Sequence, residues 1–249
     1  KYKDNRPPEY FQQFHERSRT KDPKFVYGLV RAALTPIALG FYRAKAIGTE
    51  NVPAEGPVLL APNHFSNMDH FFAGVYLRRQ IRFMAKSQLF GPPVLTSIFT
   101  HGGVFPVRRG HRDDEAFTTV YRIFENGGAV LVYAEGGRSR SGGLGDPKPG
   151  IGRIALESGV PVVPVAIHGS SGVRNIKKLR FPKVTIQFGQ PMSFPAIADA
   201  TKEQQMEVSN AVFDQVKLMY TGIDELGVKG VRQKLKDALP APEPDASRL

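Results

Sequence analysis

Short apolar runs alternate with amphipathic stretches along most of this chain, and this alternation limits the fold more than any other feature of the sequence. The apolar runs, rich in Val, Ile and Phe, predict strands at 58–61, 81–85, 103–107, 129–134, 162–167 and 184–188. The stretches between them predict helices at 67–79, 92–100, 113–126 and 151–158, with a further helix at 201–220. Because strands that alternate with helices pair in parallel, the sequence predicts an α/β fold with a largely parallel central sheet flanked by helices.

The chain divides into three predicted segments. Residues 1–45 are expected to form an N-terminal helical segment that associates with a membrane, and 46–222 to form the α/β domain. Residues 223–249 are expected to form a charged helix over 224–239 and a Pro-rich, disordered tail.

The apolar stretch at 25–42 approaches the ~20 residues that a membrane span needs. Arg31 and Pro36 interrupt it, so a full span is the least favoured interpretation. Basic residues at both ends favour a helix or helical hairpin lying in one leaflet, and a buried core helix is the alternative.

The net charge of +11 favours an anionic partner: nucleic acid, an acidic membrane surface or a phosphorylated substrate. The chain has no RNA-recognition aromatic motif and no zinc-finger spacing, which argues against nucleic acid. It also has no cysteine, which excludes disulfides, thiolate nucleophiles and Cys-bound metals. Neither a Walker-type nor a dinucleotide-binding Gly motif occurs, and without H-E-x-x-H we expect no metal site.

His64 and Asp69 lie in the loop that follows the first predicted strand. On one continuous helix, residues five positions apart point about 140° away from each other, so the two can meet only if a turn separates them. Ser66 supplies that turn as an N-cap, with Asp69 at the N3 position of a capping box. A neutral imidazole beside a carboxylate can take a proton from a hydroxyl, which makes the pair a candidate general base. The alternative is that Asp69 only caps the helix.

Two further predicted strands end in basic residues. Arg108 and Arg109 close the strand at 103–107, and Arg138 lies in the Gly-rich loop after 129–134. Guanidinium groups and loop N–H groups at strand ends suit phosphate recognition, and solvated surface charge is the alternative.

Taken together, these segments resemble the glycerolipid acyltransferases related to 1-acyl-sn-glycerol-3-phosphate acyltransferase. The family's N-H-x-x-x-x-D block is matched by Asn63, His64 and Asp69. Its Gly-apolar-Arg block is matched over 103–109, its M-A-K-x-E-L-F run over 84–90 and its V-P-V strand over 160–165. Its F-P-E-G-T-R-S block is matched at Glu135, Gly136, Arg138 and Ser139, but Tyr133, Ala134 and Gly137 stand where the family usually has Phe, Pro and Thr. The resemblance covers roughly 47–189.

The resemblance implies transfer of a fatty acyl group from acyl-CoA or acyl-carrier protein, a co-substrate with no further cofactor, to a lysophospholipid hydroxyl. The implied acceptor is 1-acyl-sn-glycerol-3-phosphate, and the implied product is phosphatidic acid. His64 would be the general base and Asp69 its partner. The acceptor-binding candidates are Arg109, Glu135, Gly136 and Arg138, with Lys86 and Lys148 as secondary candidates. We expect Arg109 and Arg138 to meet the acceptor phosphate, and Glu135 to orient an arginine or the glycerol hydroxyl.

A basic cluster follows the V-P-V strand and is formed by Arg174, Lys177, Lys178, Arg180 and Lys183. It suits an anionic membrane, a CoA nucleotide or an acidic carrier protein, with an ordinary surface loop as the alternative. With the stretch at 25–42, it predicts a monotopic enzyme on the cytoplasmic face of a membrane. Two other functions stay open: the same chemistry on glycerol 3-phosphate, another lysophospholipid or a lysoglycolipid, and a non-catalytic basic membrane-binding protein.

Overall fold

The computed structural model describes residues 4–110, 113–139, 142–173 and 181–238. Within these residues, seven strands form one sheet in the order β1-β7-β6-β2-β5-β3-β4. The strands are β1 (Lys45–Ile47), β2 (Val58–Pro62), β3 (Ile81–Lys86), β4 (Val104–Val107), β5 (Ala129–Leu131), β6 (Val162–His168) and β7 (Thr185–Phe188). The α-helices are α1 (Glu9–Thr20), α2 (Lys24–Pro36), α3 (Asp69–Val75), α4 (Pro93–His101), α5 (Asp114–Glu125), α6 (Gly150–Ser158) and α7 (Lys202–Asp237).

Five strands, from β4 through β3, β5 and β2 to β6, run parallel to one another. At the other edge β7 is antiparallel to β6, and β1 pairs with β7 in parallel. The predicted α/β class with a largely parallel, helix-flanked sheet is confirmed. The three-residue strand β1 was not predicted, because so short a run carries no periodicity.

Strand β2 shows how the sheet is held, since all five of its residues are buried. Leu59 and Ala61 pack into one hydrophobic layer, whereas Val58 and Leu60 pack into the layer on the opposite face. Successive strand residues point to opposite faces, so both layers draw on the same short strand. Helices α5, α6 and α7 cover the first face, and α3 covers the second, with α2 packed against α3. The carboxyl ends of the parallel strands stay accessible, and ligands bind at this edge in open α/β sheets.

The first helix, α1, belongs to the packed domain. Its Phe11 and Phe14 form a buried cluster with Phe90 at the end of the 84–90 run. The preceding Arg6 donates hydrogen bonds to the Ser87 carbonyl oxygen at 2.7 Å and to Asp4 at 2.6 Å. The sequence predicted a helical segment over 1–45 but placed no separate helix at 9–20, because residues 1–24 are mostly polar and only the tertiary contacts reveal which side chains are buried.

The apolar stretch at 25–42 forms α2, which ends at Pro36, and one π-helical turn over Ile37–Phe41. Arg31 donates a hydrogen bond of 3.0 Å to the Val75 carbonyl oxygen at the end of α3, where the helix dipole favours a cation. Among the described residues, no single helix is long and apolar enough to cross a membrane. Helix α1 and the helical stretch Phe25–Phe41 pass that test only as a pair, which is bent by 86°.

Three boundaries differ from the prediction. Helix α3 ends at Val75 rather than at 79, and β5 ends at Leu131, so 132–134 already belong to the loop. The helices predicted at 201–220 and 224–239 form one element, α7, which is kinked at Gly227 (φ 61°, ψ 178°) and runs across position 222. The proposed tail at 240–249 lies outside the described residues.

Candidate active site

The loop that carries His64 is fixed to the sheet by the residue before it. Asn63 follows β2 and is fully buried. Its side-chain amide donates to the Ile167 carbonyl oxygen at 3.0 Å, and its oxygen accepts from the Ile167 N–H at 2.7 Å. These two bonds extend the β2–β6 hydrogen-bond ladder by one step beyond the end of β2. They therefore fix the backbone immediately before His64.

Asp69 is the first residue of α3 and is also fully buried. Its Oδ2 accepts three hydrogen bonds: from His64 Nδ1 at 2.8 Å, from the Phe65 N–H at 2.7 Å and from the Ser66 N–H at 2.8 Å. The bond to Ser66 is one half of the predicted capping box. The other half is absent at Ser66, whose hydroxyl accepts from the Met68 N–H at 3.2 Å. The helix begins at Asp69 rather than at 67, yet the predicted meeting of His64 and Asp69 is observed.

These bonds determine what His64 can do. A carboxylate at Nδ1 is an acceptor, so Nδ1 carries the proton and Nε2 is left with a free lone pair. Burial lowers the pKa of His64, whereas Asp69 opposes that shift. The imidazole is therefore neutral at pH 7 and is oriented to accept a proton at Nε2.

Tyr133 covers one face of this imidazole. The two ring centroids are 3.6 Å apart and the planes differ by 13°. The Tyr133 hydroxyl is buried beside the Asp69 charge, and burial raises its pKa well above the usual value, so the phenol stays protonated. The ring thus fixes the plane of His64 and shields it from water.

Glu135 joins the His64 loop to the Gly-rich loop. Its Oε1 accepts from the His64 N–H and its Oε2 from the Gly145 N–H, each at 2.8 Å. The Ser139 N–H donates to the His64 carbonyl oxygen at 2.8 Å, which ties the same loops a second time. Burial raises the pKa of Glu135. The sequence led us to expect an arginine or the acceptor hydroxyl as its partner; in the structure, each carboxylate oxygen accepts a hydrogen bond from a backbone N–H.

A cavity of about 480 Å³, called here the His64 cavity, opens at these strand ends. Of the residues chosen from the sequence, those that line it are His64, Lys86, Arg109, Glu135, Gly136 and Arg138. Lys148 lines a neighbouring cavity of about 160 Å³, together with Arg109 and Gly136. Arg108 points elsewhere: it donates to the Arg6 carbonyl oxygen, so it holds the N-terminal segment and not a phosphate.

A smaller, mostly apolar cavity of about 70 Å³, called here the apolar cavity, adjoins the His64 cavity between α2, α3 and α4. Around it, both α2 and α4 expose large apolar side chains. Phe25 and Leu29 on α2 are 80% and 59% exposed, and Val94 on α4 is 74% exposed. Of the predicted basic cluster, only Lys183 falls within the described residues, where it is exposed.

Three residues of the site were not assigned a role from the sequence: Asn63, Tyr133 and His70. Asn63 was part of the matched block, and Tyr133 was noted only as a departure from the family pattern. His70 carried no signal except its place beside Asp69. Within the part of the chain that the structure describes, no three His, Asp or Glu side chains are grouped so that they could hold a metal ion.

Several proteins with similar sequences are named as acyltransferases. A chloroplastic 1-acyl-sn-glycerol-3-phosphate acyltransferase of Brassica napus is 30% identical over 136 residues, which are 53% of this chain and 39% of that protein. A Bacillus subtilis 1-acyl-sn-glycerol-3-phosphate acyltransferase is 28% identical over 73% of this chain and 90% of its own length. A Pseudomonas fluorescens glycerol-3-phosphate acyltransferase is 26% identical over 61% of this chain and 23% of its own. The chain thus matches well under two thirds of some of these relatives.

The crystal structure of a 1-acyl-sn-glycerophosphate acyltransferase, PlsC, from Thermotoga maritima shares the fold, with a TM-score of 0.63 over 88% of this chain and 89% of that one. At 23% identity, this likeness concerns the fold alone. The family model described as "Acyltransferase" matches residues 43–168, half of the chain. This range contains His64, Asp69, Glu135 and the strands that position them, and the chain therefore belongs to the acyltransferase family.

Proposed function

We propose that this protein transfers a fatty acyl group from a thioester to the hydroxyl of a lysophospholipid, with 1-acyl-sn-glycerol-3-phosphate as acceptor and phosphatidic acid as product. The observation that carries the proposal is the 2.8 Å bond between His64 Nδ1 and Asp69 Oδ2 at the wall of the His64 cavity. That bond leaves Nε2 as a base toward a bound hydroxyl. The names of the relatives support the substrate class.

In the proposed reaction, His64 Nε2 takes the proton of the acceptor hydroxyl as its oxygen attacks the thioester carbonyl carbon. The new C–O bond forms, the C–S bond breaks, and the departing thiolate receives the proton from the imidazolium. Asp69 stabilises the imidazolium between these two transfers. The acceptor oxygen attacks directly, so the reaction passes through no acyl-enzyme. The acyl thioester is the co-substrate, and the scheme needs no cofactor or metal.

The acceptor phosphate is proposed to bind at the cationic part of the same cavity. Arg109, Arg138 and Lys86 supply three positive charges there, and Arg side chains can form paired hydrogen bonds with phosphate. Lys148 would add long-range attraction from the neighbouring cavity. Glu135, which holds two backbone amides, would keep the Gly136–Arg138 loop in place for this contact.

The protein is proposed to work at an anionic membrane surface on the cytoplasmic side, without crossing the membrane. The exposed apolar side chains of α2 and α4 form a surface that would enter the leaflet beside the apolar cavity. Both the lysophospholipid and the donor's acyl chain could then reach the His64 cavity from the bilayer. The net charge of +11 adds attraction to anionic lipids.

The test is thiol release from palmitoyl-CoA with three acceptors in parallel: lysophosphatidic acid, glycerol 3-phosphate and lysophosphatidylcholine. We expect release with lysophosphatidic acid, and a repeat with palmitoyl-acyl-carrier protein separates the two donors. Release with glycerol 3-phosphate would favour the second candidate acceptor, which the Pseudomonas relative's name suggests. No release with any acceptor and either donor would contradict the proposed activity and leave the non-catalytic membrane-binding role.

A further inference from the structure

Four of the described residues line both the His64 cavity and the apolar cavity: His70, Phe83, Phe99 and Val104. They form the junction through which an acyl chain must pass if its thioester lies beside His64 and its tail lies in the apolar cavity. An acyl chain takes this route only if the protein has the proposed function. Three of the four side chains are hydrocarbon, so the polar atoms at the junction belong to His70.

The structure holds the His70 ring in place. It lies next to Asp69 in the first turn of α3, with its ring centroid 4.0 Å from that of Phe71. The Phe83 ring packs edge-on against it at 5.6 Å. Burial lowers the pKa of His70 to about 4, although the nearby Asp69 charge opposes this. The ring is thus neutral at pH 7, with one N–H donor, and no described protein group forms a hydrogen bond with it.

We propose that His70 is a second catalytic residue, whose N–H donates a hydrogen bond to the carbonyl oxygen of the acyl thioester. The oxygen gains negative charge as the acceptor attacks, and a donor fixed in advance at that point favours the charged state. The proton stays on His70 throughout, so its role differs from the proton transfer at His64. A neutral donor suits this site, because a cation would have to lose its water beside Phe71 and Phe83.

The direct test measures the carbonyl and not turnover. Palmitoyl-CoA labelled with ¹³C at the carbonyl is bound to the His64→Ala protein, which removes the proposed base, and the C=O stretch is recorded by infrared difference spectroscopy. We expect a lower frequency than for the free thioester. Adding His70→Leu should return the frequency toward the free value, whereas His70→Gln, which keeps an N–H donor, should retain part of the shift. His168→Leu, at a partly exposed histidine paired with the exposed Asp224, is the matched control and should leave the C=O frequency unchanged.

Turnover gives the second reading. His70→Leu in the otherwise unchanged protein should lower kcat by on the order of 10²–10³-fold, the usual effect of losing one oxyanion donor, with a smaller change in KM for the thioester. His70→Gln should recover part of that loss. An unshifted carbonyl, or a His70→Leu variant with normal kcat and only a changed acyl-length preference, would overturn the inference. If the thioester does not bind at all, the proposed function fails first, and the two failures are thereby distinguished.

Discussion

Removing the Asp69 carboxylate should cost stability as well as activity, because one oxygen holds three donors. In Asp69→Ala, the Phe65 and Ser66 N–H groups and His64 Nδ1 all lose their acceptor inside a site where Asp69 is fully buried. A buried donor left without a partner costs about 1–3 kcal/mol. For three donors we therefore expect a loss of about 3–9 kcal/mol, a large part of the roughly 5–15 kcal/mol that stabilises a typical domain. Loss of a helix cap alone would cost only ~1 kcal/mol.

Asp69→Asn separates the two roles. The amide oxygen can still accept the backbone N–H bonds, so each weakens by about 1 kcal/mol as a charged acceptor becomes neutral. Its neutral amide cannot stabilise the imidazolium, so kcat should fall far more than the folded fraction. The assay is urea unfolding of both variants, followed by kcat at matched folded fractions.

Asp224→Ala is the matched control for this experiment. Asp224 also pairs with a histidine, His168, at 3.1 Å, but its side chain is 72% exposed. An exposed ion pair contributes less than about 1 kcal/mol, so this variant should unfold close to the unmodified protein. If Asp69→Ala were as stable as Asp224→Ala, the three-donor arrangement at Asp69 would be refuted.

Three other predictions concern the base, the acceptor and the membrane. Burial lowers the pKa of His64 below its ordinary 6.5, and only the neutral imidazole accepts a proton. In a pH profile of kcat/KM, activity should therefore be lost on acidification at a pH below 6.5. Tyr133→Leu exposes the His64 ring to water and should shift this loss to higher pH, whereas Tyr133→Phe keeps the stacked ring and should not shift it; identical profiles for the two variants would contradict the role of Tyr133 in shielding His64 from water. Arg138→Gln should raise KM for the acceptor more than KM for the donor, as measured in paired titrations. Phe25→Ser with Leu29→Ser should release the protein from anionic vesicles in a flotation assay, and undiminished binding would assign the membrane contact elsewhere.

The sequence was sufficient for six of the seven strands in the described sheet and for the central pair. Strand β2 was predicted within one residue, because an apolar run followed by Pro, Asn and His has a clear end. The meeting of His64 and Asp69 followed from a turn that Ser66 makes possible, although the helix begins two residues later than predicted. Local chemistry decided both features, so local sequence was enough to find them.

Partners that come from distant parts of the chain could not be predicted in this way. A carboxylate such as Glu135 is as suited to an arginine as to two backbone amides, and only the folded loops decide between them. Arg108 looked equivalent to its neighbour Arg109 in the sequence. In the structure its guanidinium donates a hydrogen bond to the carbonyl oxygen of Arg6, 102 positions away in the sequence. Helix α1 was missed for the same reason, since Phe11 and Phe14 are buried only through their contact with Phe90, far along the chain.

Because α1 is part of the packed domain, deletion of residues 1–43 would disturb the fold. Point substitutions on α2 are therefore a better test of the membrane contact than such a deletion.

The central claim is that His64 acts as the base, and the most direct measurement compares acyl transfer by His64→Ala with that by His168→Ala. Both variants remove a histidine paired with an aspartate, one at the His64 cavity and one at the surface. We expect His64→Ala to lose on the order of 10²–10⁴-fold in kcat, the usual contribution of a general base, while its cooperative unfolding is retained. His168→Ala should keep normal activity. A folded His64→Ala protein that transfers acyl groups at the unmodified rate would contradict the account.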